Sequence, residues 1–198
     1  MKKVIAVFLV TWLMACSTNP GSFRHYQFST TAIESQPGFE DLQHSTAVIL
    51  SLTVPDYLKQ NKMIIQVDDG ELQYSQLHLW AQLPAKAIHN QMRKSINLSA
   101  KGWYVTPGNQ SVRQESSVRL HVNLSHFYPT TAGEVVMAGD WLFSMDGKPQ
   151  TKSDFSYQRA LTEDGYAAAL KTKAVLIEQL AQEINQHIAR NLPVSEGH

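Results

Sequence analysis

The chain has 198 residues, 43% of them apolar and 17% charged, with no formal net charge at pH 7. That is the size of one ordinary domain with tails, with enough apolar content for a core and too little charge for a disordered polyelectrolyte. The signs are interspersed and form no basic stripe, which argues against a nucleic-acid partner.

The first fifteen residues read as a signal peptide. Lys2 and Lys3 form a positive start, and Val4 to Leu13 is an apolar run too short to span a bilayer, which needs about 20 residues. Leu13-Met14-Ala15-Cys16 follows and resembles a bacterial lipobox. The small Ala15 suits a cleaved bond, and the Cys16 thiol would receive diacylglycerol. The alternative is an ordinary signal peptide with an incidental cysteine. Cys16 is the only cysteine, so a lipid on it leaves none for a disulfide. At about 0.8 kcal/mol per buried methylene, two or three acyl chains anchor essentially permanently. Without Lys2 and Lys3 the remaining chain carries 15 basic against 17 acidic residues. Residues 16–22 would then be a lipidated tether, polar and broken by Pro20-Gly21, and residues 23–198 a single domain.

Phe23 to Phe28 reads as a first strand and residues 29–44 as a loop. Ala47 to Val54 is an apolar, β-branched run of strand type, ended by Pro55, which has no N–H for a ladder. Met63 to Val67 is a second strand. Asp68-Asp69-Gly70 marks a turn, and a short strand over Leu72–Tyr74 leads to a helix from Trp80 to Leu98. Its stripe is Trp80, Leu83, Ala87, Ile88, Met92 and Ile96. Pro84 is tolerable only in a first turn, which places the regular helix from about Ala81. Residues 99–117 are polar, with a turn at Pro107-Gly108-Asn109.

Val118 to Leu124 alternates cleanly, the pattern of a half-buried strand. A turn at Thr131-Ala132-Gly133 precedes a strand over Glu134–Met145, with Val135, Met137, Trp141 and Phe143 on one face. Asp146-Gly147-Lys148 turns into a strand over Ser153–Ala160. The last helix runs from Asp164 to about Asn191, and Glu163-Asp164 suit its N-terminus. Its stripe is Leu170, Ala174, Ile177, Leu180, Ala181, Ile184 and Ile188. Strands then a helix, twice over, predict an α+β fold: a two-layer sandwich of a mainly antiparallel or mixed sheet with two long helices packed on it.

Chemistry is sparse. Of the eight histidines, His121 and His126 are five apart and point to opposite faces of a regular strand. His78 and His89 could share a helix face, but about 16 Å apart. No metal site is expected. Nucleophile, P-loop and dinucleotide motifs are absent, so no catalytic residue is nominated. Asp68-Asp69 reads as a solvated turn and Asp140 as a residue of the outward face. Trp80 and Trp141 could line a lipid pocket, although such tryptophans more often pack a helix onto a sheet.

The ordered set Val54, Pro55, Tyr57, Leu58, then Ile64, Ile65, Val67, then Trp80-Ala81 resembles the PqiC-type (YmbA-like) accessory lipoproteins, the ABC-type transport auxiliary proteins. Leu120, Val122, Phe127, Trp141 and the Asp164-Gly165-Tyr166 start of the last helix extend the resemblance over about 45–190, and weakly 23–28. Two departures stand out. Leu83 precedes Pro84 where the family has the reverse order, and Phe28 replaces a leucine. The resemblance implies Pro55, Tyr57, Leu58, Trp80 and Trp141 as structural or partner-facing positions. It implies no enzyme and no cofactor beyond covalent lipid on Cys16. It also implies an MCE-domain (PqiB-like) membrane partner and a role in intermembrane lipid transport. Ser17 after Cys16, in place of aspartate, favours the outer membrane, facing the periplasm. A homo-oligomeric ring around an elongated partner is a further expectation. The competing readings are a periplasmic lipid carrier and, more remotely, a hydrolase.

Overall fold

The computed structural model describes residues 21–29, 46–106 and 118–191. The predicted signal peptide, Cys16, most of the tether and the Pro107-Gly108-Asn109 turn lie outside them. The described chain builds β1 (Arg24–Tyr26), β2 (Thr46–Thr53), a 3₁₀ turn (Asp56–Leu58), β3 (Lys62–Asp68) and β4 (Glu71–Trp80). Then come α1 (Pro84–Ser99), β5 (Trp103–Thr106), β6 (Val118–Pro129), β7 (Glu134–Met145), β8 (Lys148–Ala160) and α2 (Tyr166–Asn191). No described helix is long and apolar enough to cross a membrane.

The α+β class with two helices on sheet is as expected. The strands form two sheets, a small one in the order β1-β4-β3 and a large one in the order β5-β2-β6-β7-β8. The meander β6-β7-β8 and the hairpin β3-β4 are antiparallel, whereas β1 on β4 and β2 on both β5 and β6 are parallel. A bridge between Gln66 and Thr130 joins the sheets where β3 meets the end of β6.

Several boundaries correct the sequence reading. Trp80 does not open the first helix. It ends β4, a ten-residue strand where three residues were expected, held by the Asn61 carbonyl just before β3 on one side and by Tyr26 of β1 on the other. The helix begins at Pro84, where the missing N–H is one the first turn leaves unpaired anyway. The strand expected over Ser153–Ala160 begins earlier, at Lys148, and β5 falls in a stretch read as polar connection. β6 runs on past Leu124 because a bulge at Ser125 absorbs one residue: Leu124 faces Gly139 and His126 faces Ala138. The extra residue also changes which way the histidines point. His121 and His126 oppose Leu142 and Ala138, so both lie on the outer face. His78 is on β4 and His89 on α1, so they share no helix face.

The inner face of the large sheet is the main core. Leu120, Val122, Leu124, Val135, Met137, Trp141 and Phe143 pack there against Ile177, Leu180, Ala181, Ile184 and Ile188 of α2 and Ile88, Met92 and Ile96 of α1. Gly139 is required in this layer, because a Cβ there would overlap the Asn123 carbonyl oxygen. A smaller cluster of Met63, Trp80, Ala87 and Leu170, with Tyr26, Phe28 and Tyr166 against it, fills the space under the small sheet.

Candidate functional site: the interlocked motif residues

The segment after β2 turns because Pro55 stops the ladder and its carbonyl accepts the Leu58 N–H at 3.0 Å. Leu58 drops into the main core at 1% exposure. Tyr57 crosses to the bulge on β6. Its hydroxyl accepts the Phe127 N–H at 3.1 Å and donates to the Ser125 carbonyl at 3.3 Å. A bulge leaves ladder groups unpaired, and this hydroxyl supplies them with partners. Burial, only partly offset by that N–H, pushes the Tyr57 phenol up to about 12. Its ring meets Tyr128 edge-on, and Tyr128 meets His126. Burial and the nearby Asp69 charge raise the Tyr128 phenol as well.

Trp80 and Trp141 are buried at 2% and 0% exposure, and neither lines the grooves beside α1 or the cleft at Ile65 and Pro129. Each meets a charged residue of α2. Trp141 Nε1 donates to Glu183 at 3.4 Å, and Tyr157 donates to the other Glu183 oxygen at 2.6 Å. Burial, then that carboxylate, drives the Tyr157 phenol upward. His187, one turn on, packs edge-on against Trp141. Trp80 lies under Lys173, whose Nζ is 5.4 Å from that ring and 4.7 Å from the Phe127 ring. Lys173 is 2% exposed, and no ion pair among the described residues includes it. Burial pulls its amine down to about 7.

Motif positions 57, 80 and 141 therefore stand at three joints: the bulge, the junction of the two clusters, and the seam between α2 and the β7–β8 hairpin. Sequence reasoning missed Lys173, Glu183 and Tyr157. Lys173 was within reach, since it falls three after Leu170 and four before Ile177, on the buried stripe.

A cavity of about 480 Å³ is an open groove between α1 and α2 beside the end of β1. Leu98, Leu170 and Ala174 give it an apolar floor, and Lys94, Lys171 and Glu178 rim it. Lys171 pairs with Glu163 at 2.8 Å. Asp140 is half-buried on the outer sheet face, where Asn123 donates to it at 2.9 Å. Among the described residues no group of three or more His, Cys, Asp or Glu side chains could hold a metal ion.

The fold and these joints define a two-layer α+β body whose distinctive side chains serve its internal packing. The chain belongs to the ABC-type transport auxiliary lipoprotein component family, whose model matches residues 26–185. It is similar to the intermembrane transport lipoprotein PqiC of Escherichia coli K12, at 27% identity over 193 residues, covering 96% of this chain and 99% of that one. The Shigella flexneri PqiC matches to the same extent. Two crystal structures share the fold. One, of an uncharacterized protein, has a TM-score of 0.69 at 23% identity over 85% of this chain and 99% of the other. The second, from Xanthomonas campestris, has a TM-score of 0.60 at 15% identity over 85% and 100%.

Proposed function

We propose that this chain is the outer-membrane-anchored, non-enzymatic lipoprotein of an intermembrane lipid transport system, lipidated on Cys16 and docking an MCE-domain membrane protein of the PqiB kind. The observation that carries the reading is end-to-end similarity to lipoproteins named for intermembrane transport. The family-motif residues fit a structural role in such a subunit: Tyr57, Trp80 and Trp141 stand at joints of the fold, Pro55 ends β2 and Leu58 fills the core. Affinity purification of the full-length lipoprotein from envelope extracts, with mass identification, tests the partner; an eluate without an MCE-domain protein rejects it. The intact mass of the membrane-extracted chain should exceed that of residues 16–198 by the glyceryl and acyl groups.

A lipid-carrier reading is favoured by one feature, the groove between α1 and α2 with its apolar floor and lysine rim. Native mass spectrometry of detergent-free protein separates the two, since a carrier retains lipid and a docking subunit does not.

A further inference from the structure

At the end of the small sheet where β1 meets β4, the outer face carries apolar side chains where water would be expected. β1 pairs with β4 in the register Arg24 on His78, His25 on Leu79 and Tyr26 on Trp80. Alternation turns Tyr26, His78 and Trp80 inward, where the rings of Tyr26, His78 and Tyr166 meet. Phe23, Leu77 and Leu79 therefore share the other face. One step back along the register sets Phe23 beside Leu77, whose side chain also lies over Gly21. Phe23 is 64% exposed and Leu77 37%. Lys62, exposed, pairs with Leu79, and exposed His25 completes the rim.

We propose that this face, Phe23, Leu77 and Leu79 with Lys62 beside them, rests in the headgroup region of the bilayer that holds the anchor. The inference depends on the reading of Cys16 as lipidated. The tether decides the occupant. Only four residues, Ser17 to Pro20, separate Cys16 from Gly21, a span of five residue steps. At about 3.3–3.6 Å per residue, Gly21 lies within roughly 18 Å of the lipidated residue and Phe23 within roughly 25 Å. The first apolar side chains of the folded body are thus held beside a lipid surface at all times. An aromatic and two leucines next to a lysine suit that interface, where aromatic rings sit at headgroup level and a lysine meets lipid phosphate. A protein partner fits less well. A stable protein interface needs about 800 Å² per side, and three apolar side chains on a short sheet edge supply a fraction of that. The other strongly exposed leucines, Leu83 and Leu98, sit at the two ends of α1, apart from this patch.

The test uses the full-length lipoprotein in vesicles of phosphatidylethanolamine and phosphatidylglycerol. An environment-sensitive fluorophore is placed on Phe23→Cys, on Leu77→Cys and, as a reference on the outer face of β8, on Asp154→Cys. A thioether-bonded Cys16 does not take the label. Vesicle flotation is scored first. The expected result is flotation of all three proteins, with a blue shift and severalfold brightening at positions 23 and 77, quenched by brominated lipid, and neither change at 154. Flotation with labels at 23 and 77 still in water overturns the membrane face and leaves the anchor standing. Loss of flotation overturns both. A blue shift insensitive to brominated lipid, with energy transfer between copies labelled at 23, assigns the face to a second copy and overturns the proposal.

Discussion

The two tryptophans of the motif are equally buried, and their surroundings are opposite. Trp141 stands in the main core with its indole N–H on Glu183, an acid that also takes the Tyr157 hydroxyl and sits at the half-exposed seam of α2 and β8. Trp80 stands in the small cluster with a buried cation on its face. Lys173 and Glu183 are ten residues apart on α2, about 15 Å along the helix. The acid is satisfied by directed hydrogen bonds and keeps some water. The lysine has aromatic faces for company, worth about 2 kcal/mol when desolvated. One helix thus fastens the large sheet by a polar seam and the small one by a contact that works against its own charge.

The comparison breaks first at the large sheet. Ile184→Asp should prevent folding, since it sets an unpaired carboxylate into fully buried packing under Trp141's layer; a variant with an unchanged circular-dichroism melt would mean α2 docks elsewhere. Trp141→Ala should cost about 3–5 kcal/mol, the usual range for deleting a large buried ring. Trp80→Ala should cost less, because part of the lost packing is offset by water reaching Lys173. Urea titrations of the two variants decide the order.

Lys173→Met should stabilise the protein, and the sign of the pH dependence follows from burial. The folded amine sits near 7 and the unfolded one at its ordinary 10.5. Between those values the unfolded chain binds the extra proton, so wild-type stability rises with pH across that window and is lowest below it. The methionine variant has no such dependence at this position. Its advantage should therefore be largest near pH 6, on the order of 2–4 kcal/mol, and shrink toward pH 10, as measured by chemical denaturation at each pH. A smaller effect is expected at the bulge. Tyr57→Phe leaves the Phe127 N–H without its acceptor and should cost about 1–3 kcal/mol, with faster amide exchange at Phe127.

Those sites differ in how far they could be read from the chain. The alternation over Val118–Leu124 and Val135–Phe143 announced the inner face of β6 and β7, and the stripe from Leu170 to Ile188 announced α2, because burial writes a period into sequence. Pairing writes none. Nothing local in Thr46–Thr53 says that both its neighbours run parallel to it, or that the hairpin after it leaves for a second sheet. The spacing of Leu83, Ala87 and Ile88 from Trp80 predicts a helix there, and only its partners Tyr26 and Asn61 show it to be strand. The bulge at Ser125 was equally silent, and with it the role of Tyr57, since a hydroxyl serving a residue 70 positions away leaves no local mark. The motif residues were legible as positions through resemblance alone; their contacts follow from the fold, which no local pattern carries.

The parallel placement of β2 has a consequence for how the molecule comes into being. Ser51 and His121, neighbours on β2 and β6, are 70 residues apart in the chain. The most apolar strand of the first half thus finds its inner partner only after the second half has emerged. Pairings of such long sequence separation form slowly, because the intervening loop must close before any contact repays it. Until β6 arrives, Val48, Ile49 and Leu50 are an uncovered apolar edge. A version truncated before Val118 leaves that edge uncovered for good and should be a substrate for aggregation or proteolysis.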